Sequence, residues 1–456
     1  MSKNSPPRRI YPVTLGCPKN RTDTEKLLAA LKERFGAEIV LAPEEADILF
    51  VNTCAFIREA VEESLEVIFE LAEEKASFQR LVVAGCLVNR YREELLKELP
   101  EVDLFLGIEA YRAPEKVFHS ERAFFLRLEG KECTSRILTA SPFYAYLKIS
   151  DGCRRACSFC TIPRIRGPLR SLPEELIIKE AQNLAAQGIQ ELILVGQDVS
   201  AYGLDRGEPR LVPLLKKLLT EVEVPWCRLL YLHPEGITDE LLGLIQAEKR
   251  IAPYFDIPIQ HASPKVLQAM RRSYAPERLL ELISKIRTYL PEAALRTSVM
   301  VGFPGEGEKE FEELLTFLKE AAFDHLGAFV FSPEEGTLAA KLPDQVPPQE
   351  KEARFHEVMQ LQQEISAKRL ASRLGKTTEV LVEGIDEEGR GIGHAVFQAP
   401  EIDGVTYLPS EGIFPGEIIP VRLVSADIYD LKAAPLGRDH SSKNEGRGVA
   451  QDSSSK

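Results

Sequence analysis

Short apolar runs alternate with amphipathic segments over roughly the first 130 residues of the chain. Three of these runs have the length and composition of strands buried on both faces of a parallel sheet, at residues 13–15, 48–51 and 81–84. Residues 24–33 and 57–73 carry apolar side chains at helical spacing. The pattern predicts a small α/β domain with a parallel sheet over residues 1–135.

The alternation of strand and helix continues over residues 143–331. Six apolar runs are candidate strands, at residues 145–149, 192–195, 227–231, 254–257, 296–301 and 327–331. Helical patterns lie between them at residues 173–187, 212–220, 263–270, 275–288 and 308–321. This order predicts an open, partial (β/α)6 barrel of the TIM type over residues 140–370, which includes most of a helical segment at 349–374. In such a barrel the chemistry is expected at the carboxyl ends of the strands.

The last part of the chain has a compact β pattern. Five short strands are predicted at residues 379–383, 394–398, 405–408, 417–423 and 428–431, which together favour a small five-stranded, OB-like β-barrel over residues 371–436. The glycine-rich stretch 389–393 is expected to be a hairpin turn, because no βαβ unit surrounds it. Residues 437–456 contain hardly any apolar side chains and are predicted to be a disordered tail.

Composition and charge argue against some classes of protein and favour others. No apolar run approaches the roughly 20 residues of a membrane span, so we expect a cytoplasmic protein without membrane contact. In that compartment the eight cysteines are expected to stay reduced and to serve metal binding or catalysis. The net charge of −13 argues against an unassisted nucleic-acid binder and fits a basic partner better.

Cys153, Cys157 and Cys160 form a C-x3-C-x2-C triplet directly after the first strand of the predicted barrel. Structural zinc normally takes four protein ligands, and no fourth Cys or His follows at zinc-finger spacing. An iron-sulfur cluster with three cysteines keeps one iron open for chemistry. The triplet therefore indicates a catalytic cluster, with a structural zinc site or three buried cysteines as the alternatives.

Five arginines surround this triplet: Arg154, Arg155, Arg164, Arg166 and Arg170. They could contact anionic groups of a substrate or cofactor, or they could belong to a solvated loop.

Three further cysteines each follow one of the predicted amino-terminal strands. Cys17, Cys54 and Cys86 are 37 and 32 residues apart. Because ligands collect at the carboxyl ends of parallel strands, we expect these thiols to converge on a second three-cysteine cluster. The alternative is that each is a small buried apolar residue. Cys133 and Cys227 lack a partner motif, and we expect neither to be a ligand.

Other polar residues follow the barrel strands. His233 and His261 are candidates for contact with substrate or cofactor, although a lone histidine is more often satisfied by local hydrogen bonds. The segment Gly302-Phe303-Pro304-Gly305-Glu306 follows the fifth strand.

The C-x3-C-x2-C spacing resembles the signature of radical S-adenosylmethionine enzymes. The resemblance implies a 4Fe-4S cluster on Cys153, Cys157 and Cys160, whose open iron binds S-adenosylmethionine and cleaves it reductively to a 5′-deoxyadenosyl radical. It also implies that Phe159 lies against the adenine. Similarly, Gly302, Phe303, Pro304 and Gly305 would border the cofactor.

The three spaced amino-terminal cysteines, the radical barrel and the terminal β-barrel together resemble the methylthiotransferase family over nearly the whole chain. The terminal barrel corresponds to the TRAM domain of that family. Five motifs resemble its RimO-type branch: Gly16-Cys-Pro-Lys-Asn20, Val51-Asn-Thr-Cys54, Gln197-Asp-Val-Ser-Ala-Tyr-Gly203, Ile259-Gln-His-Ala-Ser-Pro264 and Pro400-Glu-Ile-Asp-Gly404.

The resemblance implies two 4Fe-4S clusters, the auxiliary one on Cys17, Cys54 and Cys86 with an open iron that receives the sulfur. One S-adenosylmethionine would donate the methyl group and a second would generate the radical. The implied substrate is the beta carbon of an aspartate in small-subunit ribosomal protein twelve, free or in the 30S subunit, and the reaction needs an electron donor and a sulfur donor.

Two alternatives remain at this point. A tRNA adenosine methylthiotransferase shares the clusters but needs an RNA-binding terminal barrel. Residues 371–436 instead carry five Lys or Arg and eleven Asp or Glu, a net charge of −6, which makes a nucleic-acid substrate unlikely. The second alternative is an iron-sulfur or zinc scaffold without catalysis.

Overall fold

The computed structural model describes residues 8–436, so the predicted disordered tail, 437–456, lies outside the described residues. The amino-terminal part is one six-stranded parallel sheet in the order β2-β1-β3-β4-β5-β6. Its strands are β1 (Arg9–Thr14), β2 (Glu38–Ile39), β3 (Ile48–Thr53), β4 (Arg80–Gly85), β5 (Leu104–Leu106) and β6 (Ala123–Phe125). Its helices are α1 (Pro18–Phe35), α2 (Arg58–Glu74), α3 (Cys86–Tyr91) and α4 (Leu95–Glu98). The predicted parallel α/β fold is confirmed, with three strands that the sequence pattern missed.

The middle part contains the six predicted barrel strands and a small two-stranded ladder. The barrel strands are β7 (Tyr144–Lys148), β10 (Glu191–Val195), β11 (Trp226–Leu229), β12 (Tyr254–Asp256), β13 (Ala294–Val301) and β14 (His325–Val330), and the ladder pairs β8 (Ser150–Asp151) with β9 (Arg170–Ser171). The sheets β11-β10-β7 and β12-β13-β14 are parallel throughout, and an isolated parallel bridge pairs Cys227 of β11 with Ile251, which lies just before β12. The open, partial barrel is therefore confirmed.

Eight helices accompany these strands: α5 (Ile162–Ile165), α6 (Glu174–Ala185), α7 (Leu211–Glu221), α8 (Asp239–Ala247), α9 (Pro264–Ala269), α10 (Pro276–Tyr289), α11 (Glu308–Ala321) and α12 (Pro348–Ala371). α8 was not predicted from the sequence pattern, although Thr238 is a residue type that favours the N-cap position. In the structure its hydroxyl accepts a hydrogen bond from the Leu241 N–H at 3.2 Å. Among residues 8–436, no helix combines the length and the apolar character that crossing a membrane requires.

The last part is a closed barrel of five strands in the order β15-β16-β17-β19-β18, as predicted. The strands are β15 (Thr377–Ile385), β16 (Arg390–Ala395), β17 (Thr406–Pro409), β18 (Ile418–Ala426) and β19 (Leu431–Pro435). The stretch 389–393 is mostly strand, so the expected hairpin turn there is wrong. Its glycines permit close strand approach, since a Cβ added to Gly393 would lie 2.1 Å from the Leu381 carbonyl oxygen.

The terminal barrel packs against the amino-terminal ends of the central strands. Arg228 of β11 donates to the Glu191 carboxylate at 2.6 Å and to the Val396 carbonyl at 3.0 Å. His394 lies 2.6 Å from Glu191 through Nε2 and 2.7 Å from Glu383 through Nδ1. One buried carboxylate thus joins the two barrels.

The loop after β16 fills the same end of the central barrel. Tyr144 donates its hydroxyl to Glu401 at 2.6 Å, and Tyr254 donates to Asp403 at 2.7 Å. Arg296 lies 3.4 Å from the same Asp403 carboxylate. These contacts cover the amino-terminal ends of the strands, so the carboxyl ends are left for the chemistry.

We expect the protein to lose stability as the pH rises, because of His394. Burial opposes protonation, but Glu191 and Glu383 raise the pKa of His394 above its ordinary value of 6.5. Stability from such a group is fully present below the unfolded-state pKa and is lost as the pH rises through the folded-state pKa. The free energy of unfolding should therefore fall above about pH 6.5, by about 1.4 kcal/mol for each unit by which the two pKa values differ.

Thermal unfolding midpoints over a pH series test this expectation. His394→Gln should remove this part of the pH dependence, whereas the control His356→Gln, at an exposed position of α12, should retain it. Identical pH profiles for His394→Gln and the unmodified protein would contradict the assignment.

Candidate functional site

Three cysteines lie at the carboxyl ends of three neighbouring strands in the amino-terminal sheet. Cys17 follows β1 and precedes α1, Cys54 follows β3, and Cys86 begins α3 directly after β4. The loops after β1 and β3 approach so closely that a Cβ added to Gly16 would lie 2.8 Å from the Cys54 sulfur. Gly16 has a φ of 84°, a left-handed value that favours glycine. The three predicted ligands therefore share one edge of the sheet.

Asn20 connects the loops that carry these cysteines. Its side-chain amide donates to the carbonyl oxygens of Leu15 at 3.0 Å and Thr53 at 2.9 Å. The Cys86 sulfur lies 3.7 Å from Asn20 Oδ1. Because buried polar groups are nearly always hydrogen-bonded, this fully buried side chain fixes the three loops relative to one another.

The three thiols influence one another electrostatically. Burial raises the pKa of Cys86 to about 12; Arg166 opposes this increase, and the Cys17 and Cys54 thiols add to it. Burial also raises the pKa of Cys54, with a further increase from Cys17. Burial alone would raise the pKa of Cys17 too, but Lys19 and Arg166 together with local backbone hydrogen bonds have the larger effect and lower the pKa of that thiol. The most easily ionised thiol of this set is thus that of Cys17, directly before α1.

The C-x3-C-x2-C loop begins after β8. Cys153 donates its N–H to the Gly167 carbonyl at 3.2 Å, and Ser158 donates its hydroxyl to the last carbonyl of α9 at 2.7 Å. Burial raises the pKa of Cys160 to about 12, and the Cys157 and Cys153 thiols add to that increase. Cys160 is therefore close enough to Cys153 and Cys157 to be affected by their charges, as in the first set of cysteines.

Phe159 and Phe303 lie in one buried apolar cluster beside this loop, and Cys157 and Cys160 pack against it. The ring centroids of Phe303 and Phe331 are 5.2 Å apart. The Phe303 side chain has no exposed surface and supports the loop from within, whereas Phe159 is 9% exposed. The structure therefore brings the segment that begins at residue 302 next to the second cysteine set.

Glu306 shapes the backbone of the segment 302–305. Its Oε2 accepts hydrogen bonds from the N–H groups of Gly302 at 2.9 Å and Phe303 at 3.3 Å. His261 Nε2 lies 3.3 Å from this carboxylate, and Arg354 lies 3.0 Å from it. Burial would raise the pKa of Glu306, but the neighbouring His261, the Gly302 N–H and Arg354 lower it. His261 thus lies fully buried against the carboxylate that accepts the N–H groups of this loop.

Glycine is required at both ends of this turn. Gly302 has a φ of 72° and Gly305, after Pro304, a φ of 81°. A Cβ added to Gly302 would lie 2.2 Å from Lys351 Cγ of α12.

A buried ionic network lies between the two cysteine sets. Arg166 donates through Nη1 to the Asp151 carboxylate at 2.9 Å and through Nη2 to Asn20 Oδ1 at 2.6 Å. Lys148 of β7 bonds Asp151 at 3.0 Å and also pairs with Asp23 of α1. Although burial alone would raise it, Arg166 and Lys148 hold the pKa of Asp151 well below its ordinary value. Sequence reasoning missed this network, although Asp151 stands two residues before Cys153.

Most of the arginines near the second cysteine set pair with carboxylates of the protein. Arg155 pairs with Asp198 at 2.9 Å, and Arg170 pairs with Glu109. Arg164 donates to a backbone carbonyl at 3.2 Å, and Arg154 is exposed.

His233 is held by its neighbours in the neutral form. Burial, with Arg155 and Arg272, lowers the pKa of His233 to about 2. Its Nδ1 accepts from the Glu235 N–H at 3.3 Å, and its buried Nε2 has no hydrogen-bond partner among the described residues.

Both sets offer thiols, which are the usual protein ligands of iron-sulfur clusters. Each set offers three thiols, and residues 8–436 contain no group of three His, Cys, Asp or Glu side chains that could hold a metal ion. A 4Fe-4S cluster distributes its cysteines over separate irons, so its ligands stand farther apart than those of zinc. Cys227 is buried in β11, and the Cys133 sulfur lies 3.5 Å from the Ser135 carbonyl oxygen.

Three family models match successive parts of the chain. Residues 9–107 match the family described as "Uncharacterized protein family UPF0004", residues 147–318 match the Radical SAM superfamily, and residues 374–436 match the TRAM domain. A solved structure of a radical S-adenosylmethionine methyltransferase, TsrM from Kitasatospora setae, is 14% identical with a TM-score of 0.51 and covers 71% of this chain and 75% of its own. That likeness supports the fold alone.

Curated relatives resemble the chain over almost its full length. "Ribosomal protein uS12 methylthiotransferase RimO" of Nitratidesulfovibrio vulgaris (strain DP4) is 45% identical over 439 residues, which cover 93% of this chain and 99% of the relative. The protein of the same name from Syntrophus aciditrophicus is 45% identical over 93% of this chain and 97% of its own. The chain therefore belongs to the RimO family of ribosomal protein uS12 methylthiotransferases.

Proposed function

We propose that this protein adds a methylthio group to the beta carbon of an aspartate in ribosomal protein uS12. The proposal rests on two sets of three thiols, both of which lie in loops that follow strands. A buried hydrogen bond from Arg166 to Asn20 connects the parts of the chain that carry the two sets. A methylthiotransferase needs two such sites close together, one for the radical and one for the sulfur.

Cys153, Cys157 and Cys160 would hold the radical-generating 4Fe-4S cluster, and Cys17, Cys54 and Cys86 the auxiliary one. When bound, the clusters and S-adenosylmethionine supply a 5′-deoxyadenosyl radical and a sulfur to be methylated and transferred. Phe159 and the segment Gly302-Phe303-Pro304-Gly305 would border the S-adenosylmethionine. The carboxylate of Glu306 keeps the backbone of that segment in shape, because it accepts the N–H groups at 302 and 303.

The charge of the terminal barrel supports a basic protein substrate. Its net charge of −6 over residues 371–436 would attract a ribosomal protein and repel the phosphates of tRNA. The substrate would be uS12, free or in the 30S subunit, in the cytoplasm, and an electron donor and a sulfur donor complete the reaction. This charge favours the protein substrate over the tRNA adenosine alternative.

Mass spectrometry after an anaerobic incubation tests the proposal. The reconstituted protein would receive S-adenosylmethionine, a reductant and sulfide, together with a peptide of the uS12 aspartate loop and unmodified tRNA. We expect the mass of a methylthio group on the peptide and none on the tRNA. Methylthio adenosine in the tRNA would replace the proposal with the tRNA enzyme, and the absence of both product and deoxyadenosine would favour a scaffold.

A further inference from the structure

Lys19 differs from the other buried cations of this protein. Nine lysine and arginine side chains are buried among residues 8–436. Seven of them pair with a carboxylate: Lys26, Arg136, Lys148, Arg166, Arg228, Arg354 and Arg373. An eighth, Lys351, donates to the Phe331 carbonyl at 2.9 Å. In this described part of the chain, Lys19 has neither kind of partner.

The ammonium of Lys19 instead lies over an aromatic ring. Its Nζ is 3.8 Å from the ring centroid of Tyr231, which follows β11 at the carboxyl end of the central barrel. A cation over a tyrosine face is attracted to it, but this contact leaves the donors of the ammonium free for an anion. Lys19 is only 8% exposed, so most of its side chain is buried.

The backbone of Tyr231 is strained to place this ring. Its φ is 58°, which is unfavourable for a residue with a bulky side chain. The Tyr231 N–H donates to Asp256 at 2.9 Å, and its carbonyl accepts from Val199 N–H at 3.0 Å. Such strain persists only where surrounding contacts impose it, and it is concentrated at functional sites.

Lys19 also lies beside the first cysteine set and within electrostatic range of Asp151. It stands two residues after Cys17, and the charges that act on it include the Cys17 thiol and the Asp151 carboxylate at the base of the second set. A buried ammonium without a carboxylate partner is costly, and a bound anion removes that cost. Lys19 therefore offers a preformed contact for one negative charge beside the first cysteine set.

We propose that Lys19 binds the side-chain carboxylate of the target aspartate, and that Tyr231 holds the Lys19 ammonium in position for this contact. The inference rests on the proposed function, because it assigns the substrate's carboxylate to this site. It explains how the enzyme selects an aspartate, since a neutral side chain would leave the buried ammonium unpaired.

Peptide binding to the reconstituted holoenzyme tests the inference separately from turnover. Fluorescence anisotropy would measure the dissociation constants of two uS12 loop peptides, one with the target aspartate and one with asparagine in its place. S-adenosylmethionine would be present and reductant absent. The unmodified enzyme should prefer the aspartate peptide by about 10- to 100-fold, the range of a charge-assisted hydrogen bond. Lys19→Met should weaken the binding of the aspartate peptide by that factor and leave the binding of the asparagine peptide unchanged.

Two further variants control for charge and folding. Lys19→Arg keeps the cation and should keep a preference for aspartate, and Lys32→Met, at an exposed position of the same helix, should bind like the unmodified enzyme. A preference that survives in Lys19→Met, or that is absent from the unmodified enzyme, overturns the inference. An equal loss of affinity for both peptides in Lys19→Met also overturns the inference, because Lys19 would then only balance the charge at Cys17. Methylthio product from the unmodified enzyme reports on the proposed function independently.

Discussion

Replacing Cys157 by alanine will abolish the formation of 5′-deoxyadenosine, whereas replacing Cys54 will leave that formation and abolish the methylthio product. The two thiols belong to sets on different elements, one in the loop after β8 and the other after β3. Each substitution therefore removes one ligand from a three-ligand site and leaves the other site complete. The iron content should fall from about eight to about four atoms per chain in either variant, because each 4Fe-4S cluster holds four irons.

Chromatography of deoxyadenosine, mass spectrometry of the uS12 peptide and an iron determination measure these effects on the same samples. Cys133→Ala is the matched control, since the Cys133 sulfur lies beside the Ser135 carbonyl and belongs to neither set. It should retain the iron content and both products. Identical behaviour of the Cys157 and Cys54 variants would contradict the division of roles between the two sets.

The sequence could predict the strand ends because they are local features. Cys54 and Cys86 stand directly after the buried strands β3 and β4, which contain the predicted apolar runs. One predicted strand was too long because of a special backbone. The run 227–231 ends as a strand at Leu229, and Tyr231 with its φ of 58° cannot extend it.

The contacts that join the parts of the chain were beyond sequence reasoning because they connect distant residues. Arg166 reaches Asn20 across 146 positions, and Tyr254 reaches Asp403 across 149. Nothing in the local pattern separates Arg166 from the partly exposed Arg170 four residues later. The domain limits 1–135, 140–370 and 371–436 and the roles of the six cysteines stay predictions.

Replacing Arg166 by methionine will destabilise the protein and separate cofactor cleavage from product formation. The Arg166 side chain is 2% exposed and pairs with Asp151, so its removal leaves a buried carboxylate with Lys148 as its remaining close cation. Breaking a buried ion pair in this way costs about 3–5 kcal/mol. The Asn20 Oδ1 also loses its bond from Arg166, which loosens the side chain that connects the loops of the first cysteine set.

The methylthio product should therefore fall more than deoxyadenosine does. Thermal unfolding gives the loss of stability, and the ratio of methylthio peptide to deoxyadenosine gives the uncoupling. Arg170→Met is the matched control, because the Arg170 side chain is 44% exposed and its pair with Glu109 is worth at most about 1 kcal/mol. Arg166→Lys should fall between the two, since an ammonium can pair with Asp151 but lacks the fork that also reaches Asn20. If Arg166→Met matched Arg170→Met in both stability and product ratio, the buried network would have no part in coupling the two cysteine sets.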